Sequence, residues 1–406
     1  MKVAGLRCRI CGKEFPPEPI YTCDNCFGPL EVQYDWDWIT ERVSRDKIEK
    51  GPKSLWRYKD FLPVESSCEP VDLGAGYTRF IKADNLGERL GLKNLFLIDD
   101  SVNPTYSFKD RVVSVAVTKA KEFGMKAVGC ASTGNLAGSL AAHAAKARLP
   151  AYIFVPKGIE KNKITQALVH GANVIEVDGT YDDANRIATE VVEEHPDWGF
   201  VNINLRPYYA EGSKTLAYEA AERLGWTLPD QVVVPMASGA LLCAIYRGFR
   251  DLERTGLVED KDVVFNGSQP YGLPISKAVK YGKGIEPVRK MDTIVHSLAI
   301  GNPADGIFAK EIIEKTGGFA EDPKDGETIE ALKLLAKTEG IFTELAGGVT
   351  VAGLIRLVEE GRIDRDDVVV VYLTGNGLKT SEAIVSHLDE TVKIRPRLEE
   401  FEEVIA

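Results

Sequence analysis

The sequence predicts an α/β protein built on two open parallel sheets, with a small cysteine-bearing module at its N-terminus. Three observations carry this. From about residue 95 short β-rich runs alternate with amphipathic helical stretches, as in sheets whose strands are joined by crossover helices. Four cysteines near the N-terminus are spaced C-x2-C-x11-C-x2-C. Loops of small and hydroxyl-bearing residues follow several strands, at the edge where ligands gather in such sheets.

The chain has 406 residues, enough for about two or three domains. Charged residues make up 27% and hydrophobic ones 44%, the balance of a folded globular chain. A net charge of -11 argues against a nucleic-acid surface, which needs clustered Lys and Arg. No stretch approaches the roughly 20 apolar residues of a membrane span, and the N-terminus lacks the apolar core of a signal peptide. The expectation is a cytoplasmic protein with no membrane or nucleic-acid partner.

The first element is the cysteine module, residues 1–35. Cys8, Cys11, Cys23 and Cys26 form paired C-x2-C knuckles that present four thiolates to one tetrahedral zinc ion, in the manner of a zinc ribbon. The alternatives are a disulfide pair, which a reducing cytosol disfavours, or a relic without metal. Gly12 and Gly28 fit tight turns beside the knuckles. Cys68, Cys130 and Cys243 are scattered and read as inert thiols. An aromatic run at 34–38 ends the module, and a charged helix is expected over 39–49.

The body of the chain follows. Strands are expected at 94–99, 126–131, 151–155, 173–177, 231–234, 262–266 and 368–373. Helices are expected at 109–123, 134–146, 161–170, 210–224, 240–253, 328–338 and 350–360.

Four motifs sit where strands end and helices begin. Segment 103–111 reads N-P-T-Y-S-F-K-D-R and places Lys109 in the first turn of a helix. A cation gains nothing from the partial positive charge there, and a lowered pKa favours the neutral amine that a Schiff base needs. The bland alternative is a solvated lysine at a polar helix start. Segment 131–135 reads A-S-T-G-N, whose hydroxyls, amide and backbone N–H groups suit a carboxylate or a phenolic oxygen, or simply cap a helix. In 235–242, P-M-A-S-G-A-L-L, small residues let backbone N–H groups approach a phosphate. Segment 373–377, L-T-G-N-G, puts a hydroxyl at the sheet edge.

Together these motifs resemble fold-type II pyridoxal-phosphate enzymes, the tryptophan synthase beta-like group. The resemblance implies a large cofactor-binding domain of residues 36–110 and 205–406 and a small α/β domain of 111–204. It also implies that Lys109 holds the cofactor through a Schiff base, that Asn135 contacts its 3'-oxygen, that Ala237, Ser238, Gly239, Ala240 and Leu241 wrap its phosphate, and that Thr374 hydrogen-bonds its ring nitrogen.

Within that group the chain is similar to threonine synthases over nearly its whole length. The cysteine module, the segment 55–58, the segment 201–215, the segment 298–306 and the segment 339–344 carry this similarity. It implies a carbon–oxygen lyase acting on phosphates, which converts O-phospho-L-homoserine and water to L-threonine and phosphate, with structural zinc and a homodimeric assembly. Lys109 is then the general base. Ser132 and Thr133 suit the substrate carboxylate, and Arg206 or Lys214 meets its phosphate or serves in a structural salt bridge. Two departures stand out. Arg79 replaces the proline of the family's G-x-G-x-T-P-L, and the segment 237–241 lacks the asparagines of its G-N-A-G-N loop. A threonine or serine dehydratase is the alternative enzyme, and a catalytically dead partner-binding protein is the reading from another class.

Overall fold

Strands β1 (Val3–Cys8), β2 (Glu14–Phe15) and β3 (Leu30–Tyr34) form an antiparallel sheet in the order β2-β1-β3. Leu30, Val32 and Tyr34 point inward while Glu31 and Gln33 stay half-exposed, the period-two pattern of a sheet with one buried face. This computed structural model describes residues 2–132, 134–158, 161–289 and 291–405.

The helix expected over 39–49 is two short helices, Trp36–Thr40 and Arg45–Glu49. Ser44 divides them. Its backbone is extended and its hydroxyl accepts from the Lys47 N–H at 3.2 Å, so it starts a new helix and does not continue the old one.

The body holds two further sheets. The larger has the order β12-β11-β10-β13-β5-β4, from β4 (Arg79–Lys82), β5 (Asn94–Asp99), β10 (Gln231–Pro235), β11 (Val264–Ser268), β12 (Ala320–Glu321) and β13 (Val368–Leu373). Its pairs are parallel except for the edge strand β4, which runs antiparallel to β5. The central strands are apolar on both faces, with Val232–Val234 and Val369–Val371 fully buried, because helices cover each side. The smaller sheet is all parallel in the order β8-β7-β6-β9, from β6 (Ala127–Ala131), β7 (Ala151–Pro156), β8 (Asn173–Val177) and β9 (Trp198–Phe200). Gly129 in β6 lies flat against the Phe200 ring, where a Cβ would come within 2.4 Å.

Helix Lys109–Glu122 leads from the larger sheet to the smaller one, and buries Val112, Val113, Ala116 and Val117 in a core shared by the module and both sheets. Its Arg111 is fully buried, with Asp100 at 2.7 Å and Glu219 at 2.5 Å. Several helices escape the sequence reading, among them Asp84–Leu90, Pro274–Tyr281 and two longer ones. Tyr181–Glu194 begins at a Thr180–Asp183 capping box, a signal that was there to be read, and Gly306–Lys315 lies in a segment of weak periodicity. No helix of the described residues is long and apolar enough to cross a membrane.

Candidate active site

Lys109 is the first residue of its helix, and the turn before it is clamped from two directions. The Asp110 carboxylate accepts from the Thr105 N–H and hydroxyl, both at 2.7 Å, and from the Ser139 hydroxyl at 2.6 Å. The Phe108 N–H donates to the Thr374 carbonyl at 3.0 Å, and Ser107 bridges to Gly375. The lysine-bearing turn is thereby sewn to the end of β13, which places the Thr374 hydroxyl residue beside it.

The Lys109 ammonium sits 4.5 Å from the centre of the Phe108 ring and 5.8 Å from that of Tyr209. No carboxylate among the described residues pairs with it. Desolvation alone lowers its pKa to about 8. An amine so placed is largely neutral at mildly alkaline pH, which is the nucleophilic and basic form.

The loop after β6 opens helix Asn135–Ala147. The Asn135 amide donates to Glu344 at 2.9 Å, and the Glu344 N–H donates to the Gly375 carbonyl at 2.9 Å. Asn135, Glu344 and the end of β13 therefore converge. Ser132 is buried, and its hydroxyl oxygen accepts from the Gly134 and Ala137 N–H groups, both at 3.2 Å, so it caps this helix and keeps only its proton to donate. Thr133 lies outside the described residues.

The turn after β10 carries Ala237, Ser238, Gly239, Ala240 and Leu241 into helix Ala240–Arg254. Ala237 packs against a buried cluster that includes Leu345 and Ala346, the residues after Glu344, which brings this turn towards the same edge. Gly239 has φ +91°, and a Cβ there would lie 2.8 Å from Ala309 and 3.0 Å from the Asp305 carbonyl oxygen. Only glycine fits that combination of backbone and space. Ala240 and Leu241 open the helix, where backbone N–H groups face an incoming anion.

The two basic candidates part company. Arg206 Nη2 lies 2.7 Å from Asp305 Oδ2, and the side chain is a third exposed. Lys214 is buried, with Glu211 at 2.5 Å and Asp251 at 2.7 Å. Two carboxylates meet its charge, the arrangement of the structural salt bridge that the sequence offers beside substrate binding. Sequence reasoning passed over Glu344, Asp305, Tyr209 and Lys379 as site residues. Lys379 donates to the Thr105 carbonyl at 2.8 Å and burial lowers its pKa. Single acids and lysines carry no local signal, since their partners are distant in sequence.

Far up the chain, the sulfurs of Cys8, Cys11, Cys23 and Cys26 all lie within 4.8 Å of one another. Cys8 and Cys26 are 3.4 Å apart, and Cys11 and Cys23 are 3.6 Å apart, all as free thiols. The Ile10 N–H points at Cys8 Sγ and the Asn25 N–H at Cys23 Sγ, both at 3.4 Å. The Lys13 N–H, with the neighbouring sulfurs, draws the Cys11 thiol down to about 6.

The family model described as "Pyridoxal-phosphate dependent enzyme" matches residues 71–375, well over half of the chain. The chain belongs to the pyridoxal-phosphate dependent enzymes. The threonine synthase of Methanocaldococcus jannaschii is 40% identical over 391 residues, 96% of each chain, and that of Methanosarcina acetivorans is 38% identical over 403 residues, 98% of each. The threonine synthase of a Bacillus species is 36% identical over 82% of this chain and 91% of its own. Within its class, the chain belongs to the threonine synthase family. The fold is also that of the processed threonine deaminase isoform 2 from Solanum lycopersicum, with a TM-score of 0.63, 20% identity, and coverage of 75% of this chain and 86% of that one.

Proposed function

We propose that this chain is a threonine synthase that converts O-phospho-L-homoserine and water to L-threonine and phosphate, with pyridoxal 5'-phosphate held at Lys109. The observation that carries this reading is a desolvated lysine amine, without a carboxylate partner, at the edge where the Asn135, Ala237–Leu241 and Thr374 loops meet. The residues suit the cofactor: Lys109 for covalent attachment, Asn135 for its phenolic oxygen, the Gly239 turn for its phosphate, and Thr374 for its ring nitrogen. Pyridoxal phosphate supplies the electron sink for deprotonation next to the substrate's amino group.

The chain's own part is to orient and to move protons. Lys109 takes the Cα proton and later returns one. Arg206 meets the substrate phosphate with the guanidinium edge that Asp305 leaves open, and the Ser132 hydroxyl with the backbone around Asn135 receives its carboxylate. A phosphate receptor favours threonine synthesis over dehydration of an uncharged amino acid, because a cation prepared for phosphate loses its partner when the phosphate is missing.

The cysteine cluster holds one zinc ion in a closed structural site. Its sulfurs, two pairs at 3.4 and 3.6 Å and all within 4.8 Å, are close enough to gather around one ion, since a tetrahedron with 2.3 Å Zn–S bonds has edges of roughly 3.8 Å. Free thiols in such a cluster suit a reducing cytoplasm. The chain divides into 1–35, a large domain of 36–110 with 205–406, and a small domain of 111–204, in keeping with the three sheets. Exposed Tyr106, Leu378 and Val385 offer apolar surface for a homodimer.

The test is phosphate release with product identification from O-phosphohomoserine, run beside threonine and O-phosphoserine. Threonine with stoichiometric phosphate is the expected outcome. Ammonia release from threonine at a higher rate would establish the dehydratase instead.

A further inference from the structure

Arg9 stands between Cys8 and Cys11 in the first cysteine knuckle. It reaches far from there. Its Nη1 lies 2.6 Å from Asp305 Oδ1, its guanidinium carbon is 3.6 Å from the centre of the Phe308 ring, and its Nε is 3.8 Å from Glu31. Asp305 holds the other end of this bridge. Its Oδ2 accepts from Arg206 at 2.7 Å, its N–H donates to the Ser238 carbonyl at 3.0 Å, and its carbonyl oxygen lies against Gly239. One aspartate thus joins the cysteine module, the small-residue turn and Arg206.

The division of its two oxygens matters. A carboxylate facing a lone guanidinium forms a two-pronged fork with it, which neutralises that cation and fixes its plane. With Arg9 on Oδ1, Arg206 has only Oδ2. Among the described residues the Arg206 guanidinium has no other hydrogen-bond or ion-pair partner. Arg9 also faces Glu31, whereas Arg206 has only a share of Asp305, so the positive charge at Arg206 is not fully offset.

We propose that Arg9 is a positioning residue for substrate binding: by occupying one oxygen of Asp305 it keeps Arg206 singly anchored and open to the substrate's anionic group. The inference rests on Arg206 as the phosphate receptor. The cysteine knuckle then has a role at the active site, because its fold fixes where Arg9 begins. Stacking on Phe308 fixes where it ends.

The experiment compares KM and kcat for O-phosphohomoserine, and the inhibition constant of inorganic phosphate, in the holoenzyme and in Arg206→Ala, Arg9→Ala, Arg9→Lys and the Arg206→Ala/Arg9→Ala double variant. Arg9→Ala is expected to raise KM and the phosphate constant about tenfold while kcat changes less than about threefold. Arg9→Lys restores most of the loss. The double variant matches Arg206→Ala, since the two residues act through one bridge. Should Arg9→Ala fold poorly by its melting temperature, Arg9→Gln carries the same readouts. An unchanged KM in Arg206→Ala overturns the receptor reading and this inference with it. A raised KM in Arg206→Ala with no change in Arg9→Ala, or additive effects in the double variant, overturns this inference alone.

Discussion

The Asn135 side-chain nitrogen lies 3.2 and 2.9 Å from the two carboxylate oxygens of Glu344. The carboxylate only accepts, so it orients the amide and leaves the second N–H proton to point elsewhere. Glu344 is itself held by its backbone to Gly375, one residue past Thr374. A residue of the helix behind β6 and the loop ending β13 are in this way set against each other.

Glu344→Ala should therefore loosen Asn135 without touching Lys109. Asn135 is half-buried, so loss of its acceptor costs less than the roughly 1–3 kcal/mol of a fully buried donor. Cofactor affinity, read from absorbance titration of cofactor-free protein, is expected to fall about tenfold. An unchanged affinity would show that Asn135 needs no support from Glu344.

Lys109→Ala should remove covalent cofactor attachment and cut turnover by about 10³-fold or more. Borohydride reduction of the wild-type protein should label the peptide containing Lys109, and a label on another lysine overturns the assignment. Coupling of pyridoxal phosphate to cofactor-free protein should quicken as pH rises through about 8, where the lowered pKa leaves the amine neutral. The same shift affects stability. Because the folded pKa is depressed, the cost of the buried charge is present in full below about 8 and is relieved as pH rises towards the ordinary lysine value of 10.5.

Lys214→Met should act on stability and leave substrate affinity alone. It strands Asp251 and leaves Glu211 only Arg247 at 3.3 Å, and these buried carboxylates also accept from the Tyr218 and Tyr34 hydroxyls at 2.6 and 2.8 Å. Breaking a buried pair in this way costs about 3–5 kcal/mol. Denaturant titration beside KM for O-phosphohomoserine checks it, and a KM effect in a fully stable variant would return Lys214 to the site.

Cys8→Ser or Cys23→Ser should lower zinc from one ion per chain and loosen the first 35 or so residues, with the cofactor absorbance largely kept. Metal analysis of protein purified without chelators is the direct check. Zinc near zero in the wild type, with all four thiols free, would mean that the module has lost its metal.

Much of the frame was legible because its causes are local. The strands Asn94–Asp99, Asn173–Val177 and Val368–Leu373 fall where alternation of apolar runs and turns placed them, and Lys109 stands at the helix start that its motif announced. The single helix expected over 39–49 fails on a local signal: charge and periodicity run on through Ser44, whose cap geometry begins a second helix after the first has ended at Thr40.

The sequence by itself determined the class of chemistry and the group of loops that perform it, since a motif's backbone shape depends on neighbours along the chain. Only the tertiary structure decided which charges are available. Arg206 and Lys214 lie eight positions apart on one segment, yet one is anchored by a single bond to Asp305 and the other is enclosed by two carboxylates. Asp251 is 37 positions from Lys214 and Asp305 is 99 from Arg206. The field at a side chain depends on distance and burial in space, and folding sets both by packing segments whose separation along the chain carries no trace of that contact.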